Sequence, residues 1–228
     1  MTCRKSCATD LKTSTIRCFL TWSSARTLSQ WAVPSGERNM PSPDLFGSVS
    51  SFPPGFRYQP ELISDAEERR LLHEMEKLHF KPFEFQGFTG KRLIVSFGWR
   101  YDFNGGGLQK TEDMPDFLLG VREAAAQFAN MEPSRLQHVL LTQYPPGAAI
   151  GWHKDRSVFG RVVGISLLSA CTFRFRRQAG QKWERSSLVA EPKSAYLLDG
   201  PARTTWEHSI PPVEALRYSV TFRNLREK

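Results

Sequence analysis

The chain has 228 residues, 40% of them hydrophobic, with a formal net charge of +8 and a pI near 9.5. That is enough chain to bury a core without covalent or metal staples, and no apolar run reaches the ~18 residues that mark a membrane span. Of the four cysteines, Cys3, Cys7 and Cys18 lie at the N-terminus and Cys171 stands alone in the body, which excludes a disulfide framework and suits a reducing compartment.

The charge is uneven. Residues 1–36 carry five Lys or Arg against Asp10, and Leu141 to Lys228 carry 14 basic against 7 acidic residues. A basic C-terminal part favours a polyanionic partner such as nucleic acid. The expected setting is cytoplasmic, in the bacterial manner, or mitochondrial or nuclear if the source is eukaryotic, and the expected state is a monomer.

Residues 1–39 are rich in Ser, Thr and Arg, poor in acids, and lack an apolar period. They read as a solvated tail, as a transit-like segment, or as sequence upstream of a true start at Met40. Residues 40–228 read as one domain. The Pro-rich "SFPPGFRYQPEL" leads into a helix that Ser64 and Glu67 open as a capping box, with Leu71, Leu72, Met75 and Leu78 at helical spacing. A second helix is expected from Pro115, with Phe117, Leu118, Val121 and Phe128 on one side. Between them "GFTGKRLIVSFGWRYDFNGGG" reads as strand ending in glycines. Beyond residue 136, "QHVLLTQY", "AIGWHKD", "RVVGISLLSACTFRFRR", "SAYLLDG" and "LRYSVTFR" read as strands. Helices followed by a run of strands predict an α+β fold with an antiparallel barrel or sandwich.

"AIGWHKD" carries candidate chemistry. On a strand, His153 and Asp155 point the same way, about 7 Å apart along the backbone, close enough to converge on one ion. His208, in "GPARTTWEHSIPP", is the candidate third ligand. Two histidines and a carboxylate are the donor set of non-haem Fe(II) oxygenases. They also serve zinc hydrolases, and a lone strand histidine needs no metal at all. In "ALRYSVTFR", Arg217, Ser219, Thr221 and Arg223 share one strand face and Tyr218, Val220 and Phe222 the other. Two arginines on a buried face need anionic partners, which a dicarboxylate cosubstrate would supply. On a half-exposed strand they need none. Thr142 and Tyr144 share a face just before the Pro-Pro-Gly turn that leads to His153.

Taken together, "LTQYPPGAAIGWHKD", "GPARTTWEH" and "RYSVTFR" resemble the AlkB family of iron(II)- and 2-oxoglutarate-dependent dioxygenases, over about Tyr58 to Leu225. The resemblance implies a double-stranded β-helix, a jelly-roll-like core, with N-terminal helices and a nucleotide-recognition lid. It assigns His153, Asp155 and His208 to Fe(II). It assigns Tyr144, Thr142, Arg217, Ser219 and Arg223 to 2-oxoglutarate, Arg217 at the distal carboxylate and Arg223 nearer the metal. The implied reaction uses O2 and 2-oxoglutarate to hydroxylate an N-alkyl carbon on a damaged base; the hemiaminal then loses formaldehyde. A base inside a duplex would have to be flipped out to reach such a site.

By the same resemblance Trp99 and Tyr101 fall in the lid, although their alternation also suits a strand with an aromatic core face. Lys91, Arg92, Arg100, Lys154, Arg156, Arg161, Arg174, Arg176 and Arg177 are candidates for phosphate contacts. The chain departs from the pattern in having Thr142 and Ser219 where many demethylases have Asn. Ser157 stands where repair members carry an acid that reads the cationic base. Substrate binding is therefore expected from Trp99, Tyr101, Arg156 and Ser157, with DNA or RNA as partner. The alternatives are a protein or small-molecule substrate for the same chemistry, and a non-catalytic nucleic-acid-binding module.

Overall fold

The computed structural model describes residues 52–226 apart from 86 and 104, so the expected 1–39 tail lies outside the described residues. The strands are β1 (Phe56–Gln59), β2 (Lys81–Phe85), β3 (Phe88–Phe97), β4 (Trp99–Asp102), β5 (Gly107–Lys110), β6 (His138–Tyr144), β7 (Ile150–His153), β8 (Phe159–Leu167), β9 (Cys171–Ala179), β10 (Lys182–Ala190), β11 (Ala195–Leu198), β12 (Glu207–Ile210) and β13 (Arg217–Leu225). The helices are α1 (Asp65–Glu76), α2 (Leu119–Phe128) and the short α3 (Gly200–Thr204). A seven-stranded sheet runs β1-β11-β8-β13-β6-β3-β2, and a four-stranded sheet runs β10-β9-β12-β7. β4 and β5 form a separate hairpin. This is the jelly-roll arrangement.

Alternation along the strands gives the large sheet two buried faces. Tyr218, Val220 and Phe222 of β13, Val163, Ile165 and Leu167 of β8, and Val139 and Leu141 of β6 pack with Leu71 and Met75 of α1 and Val121 and Ala125 of α2. The opposite face holds Tyr144, Val162, Tyr196 and Leu198, which pack with Phe173, Phe175 and Trp206 in a second cluster. The chemistry lies on that second side, between the sheets.

α1 begins as expected: Ser64 Oγ accepts from the Glu67 amide at 3.2 Å. The reciprocal half of the capping box is replaced, because the Glu67 carboxylate takes Arg70 at 2.6 Å. α2 starts at Leu119, after a 3-10 turn over Asp116–Leu118 that follows Pro115.

Three strand expectations are corrected. "AIGWHKD" is strand only to His153, so Asp155 lies beyond the end of β7. "RVVGISLLSACTFRFRR" is two strands in different sheets, β8 and β9, with a corner at Leu168, whose φ is 70°. That corner has neither Gly nor Pro; the Leu168 amide is held by Glu68 Oε1 at 2.8 Å. β10, in a polar stretch with no turn-bounded apolar run, was not among the expected strands; it pairs with β9 along its whole length.

One glycine is required by close approach. A Cβ on Gly164 of β8 would lie 2.2 Å from Tyr196 Cζ, so the ring of Tyr196 occupies the space a side chain would need. Gly164→Ala should cost about 1–3 kcal/mol, seen as a Tm lower by several degrees. Gly120→Ala, in α2 where a Cβ meets nothing, should raise Tm, since helical Ala is favoured over Gly by about 1 kcal/mol. Thermal melts of the two variants check the opposite signs.

Candidate metal and cosubstrate site

β7 and β12 are neighbours in the four-stranded sheet, and their register sets His153 directly opposite His208. The two rings lie 4.3 Å apart between centroids. Asp155 returns toward them from just past the strand end, its Oδ2 3.5 Å from His208 Nε2. One ligand atom from each of the three residues lies within 4.8 Å of the others, a group that could hold a metal ion. His153 Nδ1 is 2.9 Å from the Gly151 carbonyl. With the Nδ1 proton given to that carbonyl, Nε2 keeps its lone pair for a metal. His208 stacks on Phe173, 5.4 Å between ring centroids and 14° between planes.

The electrostatics keep these donors in their ligating forms. Burial pushes the Asp155 carboxyl up, but Arg223, His208, His153 and Arg203 outweigh it and hold the group well below the usual carboxylate range. Burial, and then the neighbouring His153, push His208 down to about 3. An ionised carboxylate and a neutral imidazole are what a divalent metal needs.

Asp155 owes its position to two arginines. Arg223 donates to Oδ1 at 2.9 Å. Arg203, buried in α3, donates to the Phe159 carbonyl at 2.8 Å and to the Arg156 carbonyl, so it ties down the segment that carries Asp155. Arg203 stands in the G-P-x-R motif before His208; the motif was visible but no role followed from it. His138 likewise has no role in the reading of the sequence above. It is buried opposite Arg223 in the β6–β13 register, with Arg223 Nη1 3.5 Å from its Nδ1. Burial and then Arg223 hold it well below the ordinary histidine pKa. Its strand parity with Thr142 and Tyr144 was the signal that could have placed it.

The arginine face of β13 points between the sheets. The register sets Arg217 beside Tyr144 and Ser219 beside Thr142. Arg217 is fully buried, its guanidinium 4.8 Å over the Tyr144 ring. Nε and Nη2 donate to Ser166 Oγ at 3.3 and 3.1 Å, while Nη1 has no hydrogen-bond partner among the described residues. A buried guanidinium served only by a neutral hydroxyl lacks an anion.

A cleft of about 1300 Å³ opens onto His153, Asp155, His208, Thr142, Tyr144 and Arg223. Its rim is aromatic and basic. Tyr101 and Phe103 lie edge-on at 5.0 Å, Phe103 meets Phe83 at 5.5 Å, and Arg156 sits 5.0 Å over both Tyr101 and Phe103. Arg92 lies 3.7 Å over Phe83. Of the expected contacts, Tyr101 and Arg156 line the cleft, and Trp99, Ser157, Arg217 and Ser219 do not. Arg100 and Lys154 also border the cleft. Arg161 instead pairs with Asp199 at 2.8 Å, and Arg174 and Arg176 lie on the outer face of the small sheet.

His138 and His208 are both neutral in the fold, with pKa values below the ~6.5 of an unfolded chain. Unfolding therefore takes up protons below that pH. The stability the two histidines contribute is present above about pH 6.5 and lost as pH falls toward their folded values. The metal-free protein should show a Tm that drops from pH 7 to pH 5. His138→Gln should flatten the drop, and a Tm flat over this range in the unsubstituted chain would contradict the assignment.

The profile of the 2OG-Fe(II) oxygenase superfamily matches residues 55–223. Among curated proteins, the chain is 31% identical over 178 residues to "Probable RNA/DNA demethylase ALKBH6" of Danio rerio, covering 71% of each. It is 26% identical over 182 residues to "Alkylated DNA repair protein ALKBH8 homolog" of Arabidopsis thaliana, covering 69% of this chain and 51% of that protein. The mouse "tRNA (carboxymethyluridine(34)-5-O)-methyltransferase ALKBH8" is 25% identical, with 25% of its length covered. The chain thus spans about half and about a quarter of these two ALKBH8 relatives. The fold is similar to that of OsALKBH1 (TM-score 0.59, 15% identity, 75% of this chain and 98% of that one) and of a Pseudomonas putida prolyl-4-hydroxylase (TM-score 0.53, 15% identity, 76% and 94%). With the superfamily match running from β1 to β13, and the ALKBH6 similarity covering most of both proteins, the chain belongs to the AlkB family of 2OG-Fe(II) oxygenases.

Proposed function

We propose that this chain is a monomeric oxidative dealkylase of nucleic-acid bases in DNA or RNA. In this reading His153, Asp155 and His208 hold Fe(II), and Arg217 receives the distal carboxylate of 2-oxoglutarate, with Tyr144, Thr142, Ser219 and Arg223 around it. The observation that carries the reading is the buried Arg217 Nη1 without a partner among the described residues, on the same face of β13 as the Arg223 that pairs with Asp155. The site's chemistry asks for a metal and an organic anion together.

Bound iron with 2-oxoglutarate and O2 supplies the oxidising power for C–H hydroxylation. The protein's part is positional. Gly151 fixes the His153 tautomer. Arg223 keeps Asp155 ionised and aimed. Phe173 holds the His208 ring. The stacked Arg217 and Tyr144 fix the cosubstrate's far end. The rim of Phe83, Tyr101 and Phe103, topped by Arg92 and Arg156, suits a flat base with phosphates beside it. DNA, RNA or tRNA also stands in the names of the ALKBH6 and ALKBH8 relatives.

Methylated single-stranded DNA and RNA oligonucleotides should yield formaldehyde, and succinate, only with both iron and 2-oxoglutarate. His153→Ala should abolish both products, and Arg217→Met should raise the KM for 2-oxoglutarate about 100-fold. Succinate without formaldehyde from either nucleic acid would move the chemistry to a protein or small-molecule substrate. Neither product from the intact chain would end the oxygenase reading.

Arg203 acts on the site through the Asp155 segment. Arg203→Met should weaken Mn(II) binding, measured calorimetrically with the folded variant, by roughly tenfold. An unchanged affinity would limit Arg203 to a packing role.

A further inference from the structure

The outer face of the four-stranded sheet carries a row of side chains that the barrel's interior does not call on. Phe173 and Phe175 of β9 and Leu188 of β10 supply the inward packing. On the other face the register sets Arg185 and Glu207 on either side of Arg176, Ser187 and Ser209 on either side of Arg174, and Trp183 opposite Gln178. The Arg176 guanidinium is held between two indoles, 4.5 Å from the Trp183 ring and 4.5 Å from the Trp152 ring. Arg174 lies 4.9 Å from the same Trp152 ring. The result is a continuous row: Trp183, Arg176, Trp152, Arg174.

Two contacts stiffen the row. Glu207 pairs with Arg176 at 2.6 Å, and Arg174 Nε donates to Ser209 Oγ at 3.0 Å. Three arginines here face one glutamate, so the row keeps a positive balance. Trp183 is 41% exposed and Arg185 is exposed beside it. An indole held by a cation on one side and open on the other is a stacking platform, and a preset guanidinium is a phosphate contact. The row also reaches the reaction site. Trp152 precedes His153 on β7, and both Trp152 and Ser209 border the cleft. Four strands at ~4.8 Å spacing carry the track about 14 Å from that rim to β10.

Resting on the nucleic-acid reading above, we propose that this row is a docking track for the single-stranded flank of the substrate. With the reacting base in the cleft, neighbouring nucleotides cross Trp152 and run toward β10. Arg174 and Arg185 meet phosphates, and a base stacks on Trp183. Unpaired bases are favoured because only they offer free faces to the indole.

The test is fluorescence anisotropy with a labelled single strand of roughly 12 nucleotides, within the range that such surfaces occupy. Trp183→Ala should weaken Kd about tenfold, and Trp183→Phe should restore most of the affinity by restoring an aromatic face. Arg185→Ala should reduce the salt slope of log Kd by about one. Arg69→Ala, an exposed position on α1 across the large sheet from this face, should bind as the unsubstituted chain does. Circular dichroism confirms that each variant is folded. If the strand binds but the Trp183 and Arg185 variants match the parent, the track is overturned and the active-site reading stands. If Arg69→Ala loses as much as Arg185→Ala and Trp183→Ala loses nothing, the attraction is general charge and the track is overturned. If the parent binds no oligonucleotide, both readings fall. If Trp183→Ala abolishes self-association at unchanged oligonucleotide affinity, the face belongs to a second copy and the track is overturned.

Discussion

Two guanidinium groups enclosed between the sheets are the constraint around which this molecule is arranged. A buried cation is tolerated only with an anion beside it. Arg223 has one in Asp155, which ties the end of β13 to the loop after β7 and so brings a carboxylate between two histidines. Arg217 has none among the described residues; it has Ser166, an aromatic face, and one unpartnered nitrogen. One arginine is thus satisfied by the fold, and the other keeps an unpartnered nitrogen. On the function proposed above, that asymmetry makes a structural strand a binding element.

The same strand explains how remote segments meet. β13 lies between β6 and β8 in the large sheet. Its inward face is set against Tyr144, Thr142 and His138 by the β6 register and against Ser166 by the β8 register. Antiparallel pairing fixes all these neighbours at once, because a slip of one residue would turn Arg217 and Arg223 toward the helices and Tyr218 and Phe222 toward the cleft.

Much of this was legible in residues. The alternation in "RYSVTFR" placed both arginines on one face, opposite Tyr218, Val220 and Phe222; the structure turns that face inward, and His153, Asp155 and His208 do converge. Asp155 reaches the site by a route other than strand parity: it lies beyond the end of β7, and Arg223, at its carboxylate, and Arg203, at the Arg156 and Phe159 carbonyls, position it. The corner at Leu168 was invisible because a glutamate from α1, 100 residues earlier in the chain, holds its amide in place of a turn-forming residue. β10 was missed because an edge strand with one exposed face shows little apolar content; its pattern is clear only once β9 lies beside it. His138 has no role in the sequence reading because its neighbour Arg223 lies 85 positions away.

The large sheet separates two tasks by burying both of its faces. The face against α1 and α2 is almost wholly hydrocarbon, with Val220, Phe222, Ile165 and Leu141 packed against Leu71 and Val121. The face toward the small sheet can therefore hold charged, hydroxylated and incompletely packed positions without taking the whole weight of folding. Drift on that inner side is cushioned by an oily layer elsewhere. Such an arrangement lets one scaffold change what it acts on while the chain continues to reach the same shape.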